Sequence, residues 1–258
     1  LPVRDVISWT ALIAGYAEHG LPKDALRCLE WMKAGGVEPN AITYLYSLKA
    51  CAALRAIDRG REIHAELVKD GFECDELSGS TLMDLYAKCG LMVKAKEVFK
   101  SLSIRDVISW NVLISGFENH GNAKEALSCY AKMQKECIFP DETTFVYLLK
   151  ACGRLCDPKK GQEIHQEIVR RGLLRVGLHD KGQDIHRKIV KRGILSVHVV
   201  GNALVDMYAK CGLLAKAQEI FDNLQSKDIV SYNALLLGCI KHGRNHQSME
   251  CFKQMQCD

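Results

Sequence analysis

The chain has 258 residues, of which 48% are hydrophobic and 26% are charged, so it can bury a substantial core. Its formal net charge of +4 is too small to indicate a particular kind of partner. It has five prolines and no apolar run near the roughly 18 residues of a membrane-spanning helix, which argues against disorder and against a membrane span. The twelve cysteines include no CxxC spacing, so we interpret them as small buried residues of a reducing compartment rather than a disulfide framework.

Repeated phrases reveal an internal period. The phrase DVISW at residues 5–9 recurs at residues 106–110, an offset of 101 residues. The phrase YAKCGL at residues 86–91 recurs at residues 208–213, an offset of 122 residues. The two offsets differ by 21 residues, which indicates one period interrupted by one insertion.

The insertion is a tandem duplication. Residues 160–176 and 181–197 are identical at eleven of seventeen positions, at an offset of 21 residues. The extra copy predicts either a third helix in its repeat or a looped-out segment, and the short connection at residues 173–177 favours the added helix. Either outcome would bend or break the array at this point.

The period divides the chain into units of 35, 35 and 31 residues. We expect both ends to lie inside a longer array, because residues 1–5 match the end of a unit and the last unit is partial. The complete units are 6–40, 41–75, 76–106, 107–141, 142–197 (which contains the duplication) and 198–228, and they are followed by the partial unit 229–258.

Each unit is predicted to contain two helices. In the first unit, apolar residues recur with helical spacing at Trp9, Leu12, Ile13 and Tyr16, and again at Ala25, Leu26, Leu29 and Met32. Gly20 is suited to ending the first helix and Pro22 to the first turn of the second. One hairpin cannot bury both stripes alone, so the pattern predicts an all-α, right-handed superhelical solenoid of stacked antiparallel helical hairpins with a concave face. The stripes also place Trp9, Trp110 and Tyr232 in the core rather than in a stacking surface.

The repeats resemble the pentatricopeptide repeat (PPR) family. The resemblance is carried by SWTALIAGY at residues 8–16, by MKAGGVEPN at residues 32–40 and by GNALVDMYAKCG at residues 201–212. The alternation of 35, 35 and 31 residues resembles the P-, L- and S-type repeats of the plant organellar PLS class. On this basis 6–40, 107–141 and the partial 229–258 are P-type, 41–75 and 142–197 are L-type, and 76–106 and 198–228 are S-type.

The resemblance implies binding of single-stranded RNA, in which each repeat presents two side chains to one base. In the family these are a polar residue early in the first helix and the last residue of the repeat. Carried over, the pairs are Thr10 with Asn40 for adenine, Ser80 with Asp106 for guanine, and Asn111 with Asp141 and Asn202 with Asp228 for uracil, while Asn233 begins a further pair. The implied target is A-n-G-U-n-U, where n is unread. Ordinary helix N-capping is the alternative explanation for these residues.

A second set of residues could pack against base faces. It consists of the apolar residue near each unit start, namely Ile7, Ile42, Leu77, Ile108, Val199 and Val230. Thr143 departs from this pattern. In the L-type units Leu45 and Val146 replace the polar reader, so spacing or weak contact is expected there.

No catalytic residue, metal ligand or cofactor is predicted. The HxE phrases at His64 and His165 are explained by repetition, and no paired-cysteine motif accompanies them. Basic pairs at residues 159–160, 170–171 and 191–192 could line a phosphate path, but solvated helix ends are favoured. The resemblance implies a mitochondrial or chloroplast protein that selects C-to-U editing sites in organellar RNA, with editing cofactors or a deaminase domain in trans. A protein-binding scaffold of tetratricopeptide type and a non-binding fragment are the alternatives.

Overall fold

The computed structural model describes residues 5–72, 76–171, 194–224 and 226–257, and these residues form fourteen α-helices without a strand. The chain divides into two compact units, residues 1–120 and 121–258, which are described separately. The first unit contains α1 (Val6–Glu18), α2 (Pro22–Ala34), α3 (Ala41–Leu54), α4 (Ile57–Lys69), α5 (Glu76–Lys88), α6 (Met92–Ser101) and α7 (Val107–Asn119). The second contains α8 (Ala123–Lys135), α9 (Glu142–Leu155), α10 (Pro158–Arg170), α11 (Ile194–Lys210), α12 (Leu214–Asp222), α13 (Ile229–Lys241) and α14 (Asn245–Cys257).

The helix ends follow local sequence signals. Gly20 adopts a φ of +76°, a left-handed conformation that glycine tolerates best, and Pro22 occupies the first turn of α2, as predicted. Helices begin at residues 6, 41, 76, 107, 142 and 229, which are the first residues of repeat units. One first helix differs: α11 begins at Ile194, four residues before the repeat boundary at residue 198.

Within each unit the first helices of consecutive repeats pack side by side. In the first unit α1 packs on α3, α3 on α5 and α5 on α7, while α2, α4 and α6 pack against them as the second helices of the hairpins. In the second unit α9 packs on α11 and α11 on α13, with α10, α12 and α14 as the second helices. The first helices therefore form a continuous row in each unit, and this row positions the candidate site.

Five of the eight residues in the stripes predicted for the first repeat are buried, while Tyr16 and Leu26 are half-buried. Ile13, Leu29 and Met32 are fully buried, as expected from their spacing, whereas Leu12 remains partly exposed, so its assignment to the core stripe is wrong. The equivalent Leu113 and Leu235 of later repeats are buried, because the first helix of the preceding repeat packs beside them, whereas among the described helices α1 packs only on α2 and α3.

The aromatic residues early in the first helices are core residues, as predicted. Trp9, Trp110 and Tyr232 are all buried. Trp110 meets the Phe99 ring edge-on at a centroid distance of 4.6 Å, and Tyr232 meets Phe221 in the same way at 4.9 Å. Each contact joins the second helix of one repeat to the first helix of the next.

The cysteines of the described residues are all free thiols, and six of them are buried, namely Cys28, Cys51, Cys129, Cys152, Cys239 and Cys251. Cys137 and Cys156 are exposed, so burial explains most of these cysteines and not all of them. Burial raises the pKa of the Cys152 thiol to about 12, which keeps it protonated and unreactive at neutral pH. Among the described helices, none is both long enough and apolar enough to span a membrane.

The duplicated segment falls largely outside the described residues. The first copy contributes α10, and the second copy at residues 181–197 is described only from residue 194 onward. The choice between an added helix and a looped-out segment therefore stays a prediction.

Candidate nucleic-acid interface

The last residue of each P-type and S-type repeat caps the first helix of the next repeat. One side-chain oxygen accepts a hydrogen bond from the backbone N–H three residues later, at 2.8 Å for Asn40, Asp106 and Asp141 and at 2.7 Å for Asp228. In all four, the side chain of the third residue returns toward the backbone of the capping residue, which completes a capping box. The capping interpretation is therefore correct for these side chains. Capping uses one side-chain oxygen of each residue, so it does not by itself exclude contact with a base.

In the repeat 198–228 the two predicted readers touch each other. The Asn202 amide nitrogen lies 3.0 Å from both carboxylate oxygens of Asp228, across 26 residues of sequence. Partial burial would raise the pKa of the Asp228 carboxyl, but hydrogen bonds from the backbone of Ser231 and from Asn202 outweigh it, so the pKa is lowered. The pair therefore presents an ionised acceptor beside an amide at neutral pH.

In the repeat 6–40 the two readers are joined through a third residue. The hydroxyl of Thr10 lies 2.7 Å from that of Thr43, and the Thr43 hydroxyl donates to the Asn40 amide oxygen at 2.9 Å. Thr43 is fully buried and was not among the predicted site residues. The signal for it in the sequence is its place as the third residue after the cap, where a capping box requires a hydrogen-bonding side chain.

The remaining predicted readers also lie at the starts of first helices. Ser80 is half-buried on α5, and Asp106 is exposed at the start of α7. Asn111 is half-buried on α7 in the first compact unit. Asp141 is half-buried before α9 in the second unit, so the two side chains are described separately. Asn233 is exposed on α13.

The residues predicted to pack against bases are exposed aliphatic side chains. Ile7, Ile42, Ile108, Val199 and Val230 expose between 51% and 72% of their surface. The side chain of Leu77 lies outside the described residues. Four of the five, Ile7, Ile42, Ile108 and Val230, lie two residues after the residue that caps their helix. The fifth, Val199, lies three residues before the reader Asn202, so the five recur at regular positions. A series of exposed apolar side chains beside polar pairs is typical of a surface that binds a ligand.

The L-type repeats differ at the reader position. Leu45 is buried in the core, with 6% of its surface exposed, so it cannot reach a base. Val146 is half-buried and lines a groove of about 460 Å³ between α9 and α11. Neither side chain offers a hydrogen-bonding group.

The HxE residues do not form a metal centre in the part of the chain that the structure describes. The Nδ1 atom of His165 lies 3.0 Å from the Tyr208 hydroxyl, and burial lowers the pKa of this imidazole. Burial also lowers the pKa of His64. Both histidines occupy equivalent positions on second helices and serve the packing of their repeats.

Three of the four described residues in the predicted basic pairs contact a carboxylate. Arg170 and Arg171 both contact Glu167, at 3.0 and 2.7 Å. Lys160 pairs with Glu163 at 2.7 Å. These contacts favour the interpretation as solvated helix ends over a phosphate path, and the pair at residues 191–192 lies outside the described residues.

The fold and the site together define a helical-repeat protein whose first helices carry polar side chains and exposed aliphatic residues at recurring positions. Sequence profiles of the PPR repeat family match residues 4–53 and 105–154. Profiles of the PPR repeat match residues 80–107, 143–173, 202–229 and 230–258. The chain therefore belongs to the pentatricopeptide repeat family.

Relatives of the chain are plant proteins. A putative pentatricopeptide repeat-containing protein of Arabidopsis thaliana is 35% identical, over 99% of this chain and 35% of the relative. Two others from that plant, one named as chloroplastic and one putative and named as mitochondrial, are 34% and 32% identical over 99% of this chain. The chain spans 29% and 37% of those two relatives, so it corresponds to about a third of each protein's length.

A solved structure shares the fold. It is the pentatricopeptide repeat protein PPR10 in complex with an 18-nucleotide psaJ RNA element, with a TM-score of 0.51 and 18% sequence identity, covering 98% of this chain and 49% of that one. At this identity the similarity concerns the fold alone. Together with the helices described above, it confirms the prediction of an all-α array of stacked helical hairpins.

Proposed function

We propose that the chain binds single-stranded RNA and that its P- and S-type repeats each select one base. The observation that carries the proposal is the contact between Asn202 and Asp228, flanked by the exposed Val199 and Val230. An aliphatic side chain at each side can cover the faces of a base, while the polar pair meets its edge. A carboxylate only accepts hydrogen bonds, so the pair favours a base that offers an N–H at its pairing edge, and the family resemblance assigns Asn with Asp to uracil.

The other pairs extend this proposal to the remaining P- and S-type repeats. Thr10 with Asn40 is assigned to adenine, Ser80 with Asp106 to guanine, and Asn111 with Asp141 to uracil, so the proposed target is A-n-G-U-n-U. The unread positions fall at the L-type repeats, where Leu45 is buried.

The biological setting is a further part of the proposal. We infer that the chain belongs to a longer organellar protein of the PLS class that directs C-to-U editing, with the deaminase in another domain or supplied in trans. The names of the chloroplastic and mitochondrial relatives support an organellar location, and the 35, 35 and 31 spacing supports the class. The chain itself acts by binding in this proposal.

The test is an equilibrium binding measurement with labelled RNA. Fluorescence anisotropy is recorded with A-n-G-U-n-U and with its single-base variants at the four read positions, at one fixed salt concentration. Each mismatch at a read position should weaken binding, whereas changes at the n positions should not. Equal affinity for all variants would refute base reading, and absence of binding at low salt would refute RNA binding. A tetratricopeptide-type scaffold would bind no RNA in this assay.

A further inference from the structure

The two L-type repeats each carry a tyrosine and a lysine on the face that continues from the base-packing position. In α3 the Lys49 Nζ atom lies 4.8 Å from the centroid of the Tyr46 ring. In α9 the Lys150 Nζ atom lies 5.3 Å from the Tyr147 ring. Both rings are half-buried and both lysines are exposed. The same arrangement at equivalent positions of two repeats indicates a built feature of the L-type repeat.

The pair in α9 lies in the groove described above. Residues 143, 146, 147 and 150 follow helical spacing along one face of α9 and line this groove together with Val199 of α11. Val199 is the base-packing residue of the next repeat, so the tyrosine and lysine face the same space as the proposed base contacts. Glu142 also lines the groove, but it lies two turns from Lys150, about 12 Å away along the helix axis.

Neither Lys49 nor Lys150 forms an ion pair in the part of the chain that the structure describes. A carboxylate does reach the pair in α3, because the Tyr46 hydroxyl is hydrogen-bonded to Glu18, which raises the pKa of this tyrosine. The S-type repeats carry aspartates at the position that Lys49 and Lys150 occupy. Asp84 pairs with Lys88 at 2.7 Å, and Asp206 pairs with Lys210 at 2.6 Å. Lys88 and Lys210 of the S-type repeats are therefore neutralised, whereas Lys49 and Lys150 form no ion pair among the described residues and can meet an external anion.

We propose that these tyrosine–lysine pairs bind the RNA backbone, so that L-type repeats add affinity without selecting a base. The lysine contacts a phosphate, and the tyrosine ring supports the lysine stem and the nucleotide beside it. Contacts to phosphates position a nucleic acid and carry no sequence information, which suits repeats whose reader is Leu45 or Val146. This proposal rests on the RNA binding proposed above.

The test measures RNA affinity as a function of salt for the double variant Lys49→Gln, Lys150→Gln. Each lost phosphate contact on a single strand should reduce the slope of log K against log salt by about 0.7, or about 1.4 for the pair. The same relation gives about a fivefold loss of affinity per lysine near 0.1 M salt. The control is Lys124→Gln, Lys132→Gln, which removes the same charge from exposed positions on α8, a second helix.

We expect a shallower slope of log K against log salt in the double variant Lys49→Gln, Lys150→Gln, and the wild-type slope in the control. The relative affinities for the single-base RNA variants should stay unchanged in both. A second variant, Tyr147→Leu, should weaken binding several-fold without changing the slope, while Tyr147→Phe retains the ring and the affinity. If wild-type protein binds RNA and the L-type variant keeps its slope, the backbone contact is refuted. If the variant changes base preference, the separation of affinity from specificity is refuted. If wild-type protein binds no RNA, both proposals fail.

Discussion

Asp228 has two roles that two substitutions can separate. Its Oδ1 atom accepts the Ser231 backbone N–H at 2.7 Å and caps α13, and both carboxylate oxygens lie 3.0 Å from the Asn202 amide nitrogen. Asp228→Ala removes the cap and the reader together. Asp228→Asn retains a capping oxygen but replaces the ionised acceptor with a neutral amide.

The structure sets the expected magnitudes. Loss of the cap in Asp228→Ala should lower the free energy of unfolding by about 1 kcal/mol, within a range of roughly 0.5–2. Asparagine is nearly equal to aspartate as a cap, so Asp228→Asn should lose only the charge–dipole contribution, about 0.3–1 kcal/mol at low salt and less under screening. A hydrogen bond to a charged acceptor exceeds a neutral one by about 1 kcal/mol, so Asp228→Asn should reduce the preference for uracil about fivefold, and Asp228→Ala, which removes the acceptor, at least as much.

The choice between pyrimidines gives a sharper readout. The carboxylate of Asp228 can only accept a hydrogen bond, whereas an amide can also donate to the ring nitrogen of cytosine. Asp228→Asn should therefore narrow the difference in affinity between uracil and cytosine at this position. Urea unfolding and RNA anisotropy are measured on the same preparations. Equal stability of the two variants would refute the capping argument, and an unchanged uracil preference in Asp228→Asn would refute the reading argument.

Three further predictions follow from other residues. By the family's base rule, Asn111→Thr should shift the preference at the fourth base from uracil toward guanine, and unchanged relative affinities would contradict the assignment. Gly238→Ala would place a Cβ atom 2.5 Å from that of Ala209, so it should cost about 1–3 kcal/mol in urea unfolding, whereas Gly15→Ala has open space and should stabilise α1. Burial lowers the folded-state pKa of His165, so the unfolded chain binds protons more readily and stability should fall as pH drops below about 6.5. His165→Gln should reduce that dependence between pH 7 and 5.5, and an identical pH dependence would contradict the argument.

Much of the fold could be predicted from the sequence because a helical repeat depends on short-range signals. The spacing of Ile13, Leu29 and Met32 identified core faces that the structure buries. Gly20 and Pro22 identified the turn between α1 and α2. Leu12 shows the limit of this reasoning, because burial also requires a neighbouring repeat: the equivalent Leu113 and Leu235 are buried, whereas Leu12 on α1 is exposed.

The candidate site could be predicted only in part. The family resemblance identified Thr10 and Asn40, but not Thr43, the buried hydroxyl that joins them. It gave no role to the tyrosine and lysine of the L-type repeats, because these residues match no reader position. The distance between each lysine and its tyrosine depends on how the two side chains lie along the helix face. Whether the lysine is paired depends on whether the folded chain brings a carboxylate close to it.

The sequence by itself therefore determined the repeat period, the two helices of each unit and the caps that start them, because these depend on contacts within a few residues along the chain. Only the tertiary structure decided which polar side chains meet. Asn202 and Asp228 are 26 residues apart, and their contact requires that α11 and α13 pack side by side at a fixed distance. Packing of this kind depends on buried side chains from several helices, such as Phe221 of α12 against Tyr232 of α13, which no local pattern specifies.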